Sequence, residues 1–247
     1  MPMRFARHVS HIVDKKPGPR HKDLLSCIRS NKDTSSMPHT DVLQDQLRRA
    51  PVIPVVTVND ARISIDLAHT LVRAGLPVIE ITLRTSAALD AISAIAKAVP
   101  EAMVAAGTVL ARSQIHEVVD AGAKFIVTPG TPVKLAEDLR EAPIPVMPGC
   151  STVSEAMTLA DMGFRYLKFF PAAASGGTAW LKSVHGPLPD LVFCPTGGID
   201  RTSAPSYLSL PNVACVGGTW VTPAEAMKKG DLAAIERLAA DAASLRG

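Results

Sequence analysis

From Val52 onward the chain alternates between short β-branched apolar runs and longer segments whose apolar residues recur every three or four positions. Runs of the first kind predict strands, and segments of the second kind predict amphipathic helices. A short helix is expected over 42–50, before the first strand, Val52 to Val58. Asn59-Asp60 can then cap a helix that places Ile63, Leu67, Leu71 and Ala74 on one face and stops at Gly75. A strand through Glu80 follows, then helix 86–99, strand 103–106, helix 113–121 with Gly122 as its stop, and strand 125–128. The alternation goes on with helix 132–141, strand 144–147, helix 152–162 stopped by Gly163, and the strand of Lys168. Helix 178–184, strand 191–195, a short helix after Thr202, strand 213–217 and closing helices from Pro223 complete it. The count is eight strands, each followed by a helix, and a helix-stopping glycine shortly before three of the strands is a weak internal repeat. Alternating β and α segments imply a parallel sheet with helices outside, and eight such units close into a (β/α)8 TIM barrel. The alternative, a doubly wound open sheet, carries a GxGxxG turn after its first strand, and that turn is absent here.

Two strands interrupt the apolar pattern. In Phe164-Arg165-Tyr166-Leu167-Lys168-Phe169-Phe170-Pro171, period-2 alternation puts Tyr166, Lys168 and Phe170 on one face and Leu167 and Phe169 on the other. A lysine buried among aromatics without a partner costs several kcal/mol, about enough to favour giving up its proton, and a neutral amine is a nucleophile. The bland alternative is that Lys168 sits at the strand end and reaches water. In Val78-Ile79-Glu80-Ile81-Thr82-Leu83-Arg84, Ile79, Ile81 and Leu83 share one face while Glu80, Thr82 and Arg84 share the other. With helices covering the outside of the sheet, that charged face points into the barrel, and two strands aim a lysine, a carboxylate and a guanidinium at one space. The bland reading of Glu80 and Arg84 is an ion pair in the barrel mouth.

Composition adds a boundary. The 247 residues are 47% hydrophobic and 20% charged, ample for one large domain. The net charge of +3 comes from residues 1–36, which hold eight Lys and Arg against three Asp, a net +5 that leaves −2 for the rest. That segment lacks apolar periodicity and reads as a disordered basic extension ahead of a single barrel domain over 37–247. A simple account is that Met37 is the true start; the acidic residues and the Pro17-Gly18-Pro19 break argue against an organelle transit peptide. A slightly acidic body speaks against nucleic acid as a partner. Cys27, Cys150, Cys194 and Cys215 fall in no ligand spacing and read as reduced thiols. No apolar run approaches a membrane span, so a cytoplasmic protein is expected. His69, His116 and His185 make no HxH or HExxH pattern, read as surface residues, and imply no metal.

In this barrel class the active site lies at the C-terminal ends of the strands, and phosphate binds at the loops after strands seven and eight. Those loops read Pro195-Thr196-Gly197-Gly198-Ile199-Asp200 and Val216-Gly217-Gly218-Thr219-Trp220. Paired glycines let backbone N–H groups approach an anion closely.

The motifs Ile79-Glu80-Ile81-Thr82-Leu83-Arg84, Ala106-Gly107-Thr108-Val109, Lys168-Phe169-Phe170-Pro171, Cys194-Pro195-Thr196-Gly197-Gly198 and Gly217-Gly218-Thr219-Trp220, in this order, resemble the 2-keto-3-deoxy-6-phosphogluconate (KDPG) aldolases from about Ala50 to the C-terminus. The resemblance implies cleavage of KDPG to pyruvate and glyceraldehyde 3-phosphate through a Schiff base, with no cofactor and in a homotrimer. It implies Lys168 as the Schiff-base lysine, Glu80 as the proton shuttle, and Arg84 and Thr108 as holders of the pyruvyl carboxylate. Phe170 and Pro129 would line the pocket, and Gly197, Gly198, Gly218 and Thr219 would cradle the phosphate with Thr196 nearby. Thr219 stands where the family commonly has serine. The residues agree with this chemistry: a neutral lysine adds to a 2-keto acid, one carboxylate can alternate between acid and base, and a guanidinium suits a carboxylate. The substrate alternatives are 4-hydroxy-2-oxoglutarate (KHG) and the phosphogalactonate epimer. A phosphate-binding isomerase or epimerase on the same fold would leave Lys168 without a covalent task, and a binding protein using the barrel as a scaffold would show no activity at all.

Overall fold

The computed structural model describes residues 40–245. The expected disorder of residues 1–36, the position of Met37 as a start and the state of Cys27 lie outside the described residues.

Among the described residues, nine β segments run through the fold: β1 Val52–Val56, β2 Val78–Thr82, β3 Met103–Gly107, β4 Phe125–Val127, β5 Val146–Met147, β6 Gly149–Cys150, β7 Tyr166–Phe169, β8 Val192–Pro195 and β9 Val216–Gly218. These strands pair in parallel, in the orders β5-β4-β3-β2-β1-β9 and β6-β7-β8. Only Pro148 separates β5 from β6, and bridges Phe193↔Val213 and Thr196↔Gly217 join β8 to β9 and the residues before it. The ring therefore closes with eight strand positions, a (β/α)8 barrel. Its strands are buried on both faces, as parallel sheets demand; all five residues of Val52–Val56 and of Val78–Thr82 are buried.

Among the described residues, ten α-helices accompany them: α1 Thr40–Arg48, α2 Ser64–Arg73, α3 Ala88–Ala98, α4 Arg112–Asp120, α5 Val133–Arg140, α6 Val153–Asp161, α7 Gly177–His185, α8 Ala204–Leu208, α9 Ala224–Lys229 and α10 Leu232–Ala243. The glycine repeat has a structural cause. Gly75, Gly122 and Gly163 hold φ of 92°, 92° and 96°, which a side chain disfavours. At Gly75, N–H donates to Val72 and the next N–H, of Leu76, donates back to Leu71. The same pair of bonds recurs at Gly122 and Gly163, so α2, α4 and α6 end in one Schellman turn that drops an apolar residue into the core.

Two expectations need correction. The strand expected over 144–147 is found at Val146–Met147 and runs on beyond its expected end, resuming at Gly149–Cys150 after Pro148, which has no N–H for the ladder. The last strand begins at Val216; before it, only Val213 makes an isolated bridge, to Phe193.

Two apolar layers result. The outer one lies between strands and helices and includes Leu67, Leu71, Ile79, Ile81, Leu167 and Phe169. The inner one fills the barrel with Ile53, Val78, Ala105, Phe125, Val127, Met147, Cys194 and Cys215, and Leu43 and Leu47 of α1 pack into it. Each large side chain so buried contributes roughly 1.5–3 kcal/mol.

Candidate active site

Alternation along β7 decides where Lys168 points. Leu167 and Phe169 join the outer layer, where the Phe169 ring stacks on Trp180 of α7 at 4.2 Å, and Trp180 meets Phe193 edge-on at 5.5 Å. With β7 pinned from outside by these rings, Lys168 is turned inward between Gly149 and Cys194 of the neighbouring strands. Across the barrel, the outward Ile79 and Ile81 turn Glu80 inward in the same way.

The two side chains meet. Lys168 Nζ donates to Glu80 Oε1 at 2.9 Å and to Oε2 at 3.2 Å, with Lys168 only 4% and Glu80 1% exposed. The buried Lys168 side chain thus has a carboxylate partner, and it does not reach water at the strand end. Either charge alone would cost several kcal/mol at about this depth, so each requires the other. Gly107 makes room for the pair: a Cβ there would stand 2.2 Å from Glu80 Oε1. The Phe170 ring centroid lies 5.7 Å from Nζ and closes one side.

Arg84 is placed differently from the expectation. β2 ends at Thr82, the N–H of Arg84 folds back on the Thr82 carbonyl at 2.8 Å, and the side chain is exposed beyond the strand. It is neither on the inward face of the strand nor the ion partner of Glu80; that partner is Lys168. In the loop after β2, Arg84 still lies at the end of the barrel strand that carries Glu80.

The other expected residues follow the C-terminal ends of their strands. Thr108, just after β3, is half-buried with φ of 61°. A β-branched residue in that region carries about 1–3 kcal/mol of strain, of the kind found at functional sites. Pro129 follows β4, its backbone so close to Gly149 that a Cβ there would meet it at 2.5 Å. Thr128 and Thr131 tie the same corner: the N–H of Gly149 donates to Thr128 Oγ1 at 2.8 Å and Thr131 Oγ1 donates to the Gly149 carbonyl at 2.9 Å. Phe170 precedes Pro171 through a cis peptide. The loops after β7 and β8 are laced together by Ala172 N–H to Thr196 and Ala173 N–H to Gly197.

The paired glycines serve different ends. Gly197 and Gly198 have φ of 98° and 73° and pack against Phe170 and Ala173. Gly217 and Gly218 answer to close contacts, since a Cβ on Gly217 would lie 2.2 Å from Thr196 Oγ1 and one on Gly218 would lie 1.8 Å from the Trp220 ring. Thr196 is buried, whereas Thr219 is exposed to a cleft of about 990 Å³. Thr57, Asn59, Trp220, Thr222 and Lys228 line the same cleft.

Gly107, Gly149 and Thr57 had no assigned role from sequence; the signal for Thr57 was its period-2 place after Ile53 and Val55. His69 and His116 are exposed as expected, but His185 is half-buried with Nδ1 buried and without a partner. Among the described residues, no cluster of three His, Cys, Asp or Glu could hold a metal ion, and no helix is long and apolar enough to cross a membrane. Burial, with Glu155 adding to it, pushes the Cys150 thiol up to about 12.

A buried lysine bonded to a carboxylate at the C-terminal end of a barrel can pass a proton to that carboxylate and attack a carbonyl. Comparison with known proteins points the same way. The family model for KDPG and KHG aldolases matches residues 43–238. A 2-dehydro-3-deoxy-phosphogluconate aldolase of Pseudoalteromonas atlantica is 46% identical over 199 residues, 81% of this chain and 93% of that one. A KHG/KDPG aldolase of Escherichia coli is 47% identical over 196 residues, 79% of this chain and 92% of that one. The crystal structure of a Legionella pneumophila KDPG aldolase, with pyruvate captured at low pH as a covalent carbinolamine intermediate, superposes with a TM-score of 0.79. The identity is 40%, covering 81% of this chain and 97% of that one.

Proposed function

The chain belongs to the KDPG and KHG aldolase family, and from that premise we propose how its residues divide the work of a Schiff-base aldolase that cleaves KDPG to pyruvate and glyceraldehyde 3-phosphate. The observation that carries the reading is the buried contact of 2.9 Å between Lys168 Nζ and Glu80 Oε1. Glu80 accepts the ammonium proton, and the neutral amine adds to the C2 carbonyl of the substrate to give a carbinolamine. Glu80 returns the proton to the carbinolamine hydroxyl, which leaves as water, and an iminium forms. The carboxylate then takes the proton of the C4 hydroxyl; the C3–C4 bond breaks, its electron pair flows into the iminium, and glyceraldehyde 3-phosphate departs. Protonation of the resulting enamine at C3 and hydrolysis of the iminium release pyruvate and restore the lysine.

Thr108 and Arg84 hold the pyruvyl carboxylate in this reading, supported by the strained φ of Thr108 and the rim position of Arg84. Phe170 and Pro129 wall the pocket. Gly197, Gly198, Gly218 and Thr219, with Thr196 behind them, receive the phosphate, supported by their place at or just beyond the C-terminal ends of the seventh and eighth barrel strands. The protein works as a cytoplasmic homotrimer on a small phosphorylated 2-keto acid. Leu110, Val133 and Met157, exposed by 59%, 52% and 54% on or beside three successive helices, support self-association.

A second reading, KHG as the natural substrate, is favoured by the name of the Escherichia coli relative. Pyruvate release from KDPG, its phosphogalactonate epimer and KHG, compared by kcat/KM, tests the choice. KDPG should be cleaved most efficiently; equal or better cleavage of KHG would contradict the assignment.

A further inference from the structure

One pair of hydroxyls beside the reacting groups has no part in the chemistry above. β1 and β2 are in register, Val55 beside Glu80 and Val56 beside Ile81, which brings Thr57 next to Thr82. Their Oγ1 atoms are 3.1 Å apart. Thr82 Oγ1 also lies 3.1 Å from the carbonyl of Val56, which can only accept. A hydroxyl has one proton, so both contacts are made together only if Thr82 donates to Val56 and Thr57 donates to Thr82. Thr57 has then spent its proton, and what it offers outward is lone pairs.

The outward direction is the cleft. Thr82 is buried, but Thr57 is exposed and lines the same space as Thr219. It stands two residues beyond Val55, the partner of Glu80, and Val55 lines that cleft with it. An oxygen restricted to accepting attracts a hydroxyl and repels the oxygens of a carboxylate or phosphate.

We propose that Thr57 is a specificity-determining residue that accepts a hydrogen bond from the C5 hydroxyl of the substrate, and so selects a polyhydroxy chain over one whose C5 is a carboxylate. The proposal rests on the aldolase reading and deepens it. In KDPG, C5 carries a hydroxyl between the carbon that is cut and the phosphate; in KHG the same carbon is the terminal carboxylate.

The reverse reaction isolates this contact, because the 2-hydroxyl of glyceraldehyde 3-phosphate becomes the C5 hydroxyl of the product. Condensation of pyruvate with glyceraldehyde 3-phosphate should be compared with that of 3-phosphooxypropanal, which lacks only this hydroxyl, in the wild type, Thr57→Val and Thr57→Ser. Thr57→Val should lower kcat/KM for glyceraldehyde 3-phosphate about 3-fold to 10-fold, the worth of one neutral hydrogen bond. It should leave 3-phosphooxypropanal within about 2-fold, since the lost bond is absent there. Thr57→Ser, which keeps the proton chain, should behave as the wild type with both aldehydes. Equal penalties on the two aldehydes, or none on either, would overturn the proposal while the aldolase reading stands. Failure of the wild type to condense either aldehyde, together with no borohydride-stable pyruvate adduct on Lys168, would overturn the aldolase reading and this inference with it.

Discussion

Inside one barrel, the same inward-facing positions are used in two ways. Towards the N-terminal ends of the strands they hold Ile53, Val78, Phe125, Met147 and Cys215, closed by Leu43 and Leu47 of α1. Two residues beyond Val78 the face carries Glu80, and two beyond Tyr166 it carries Lys168. The backbone pattern does not change between these layers; the side chains and their access to solvent do. The apolar layer supplies the transfer free energy that holds the ring together. The polar layer contributes little to stability, because a buried ion pair roughly cancels its own desolvation cost. Chemistry is the reason to keep such a pair at the open end.

That division can be broken from either side. Glu80→Gln removes the shuttle from the polar layer while its amide oxygen still accepts from Lys168. Turnover should fall by about 10²-fold to 10⁴-fold with the fold retained. Turnover at the wild-type rate, followed as pyruvate release, would make the pair structural. Phe125→Ala empties part of the apolar layer and should cost about 3–5 kcal/mol in denaturant unfolding, with kcat of the folded fraction changed only a few-fold. A folded but inactive variant would show that the lower layer shapes the site directly.

Thr219→Val probes the mouth rather than the interior. It keeps the shape of the side chain and removes the hydroxyl, so kcat/KM should drop roughly 10-fold to 10²-fold for a phosphorylated substrate. Its dephosphorylated analogue should show no penalty, and equal penalties would mean that Thr219 supports the barrel instead.

The smallest effect lies on the outer ring, where Thr152 and Glu155 form a capping box at the start of α6. The N–H of Ser151, ahead of that of Thr152, holds the Glu155 carboxyl below its ordinary 4.5. With the folded value depressed, the contribution is present above pH 4.5 and is lost as pH falls through that lower value. Glu155→Gln should therefore cost about 0.5–1 kcal/mol at neutral pH. The difference from wild type should close in acid, as read by thermal unfolding across pH; a constant difference would mean that the charge is not what caps the helix.

Much of this arrangement was legible in the sequence because it obeys fixed periods. Alternation put Glu80 and Lys168 on inward faces, and both are there. Three glycines marked helix ends, and all three have the positive φ that such ends use. What escaped was set by contacts between segments distant in sequence. Arg84 fits the alternation of β2, yet the strand ends at Thr82, and Arg84 turns back on it. The need for Gly107 becomes visible only once Glu80 is seen to fill the space where its Cβ would be. The direction of the Thr57 hydroxyl depends on a neighbour 25 residues away.

The covalent role of Lys168 is tested most directly by borohydride reduction in the presence of pyruvate, with the modified residue located by peptide mass. Only an iminium is reduced to a stable secondary amine. The account predicts irreversible inactivation and a single pyruvate-derived adduct on Lys168; an adduct on another lysine, or none, would contradict it.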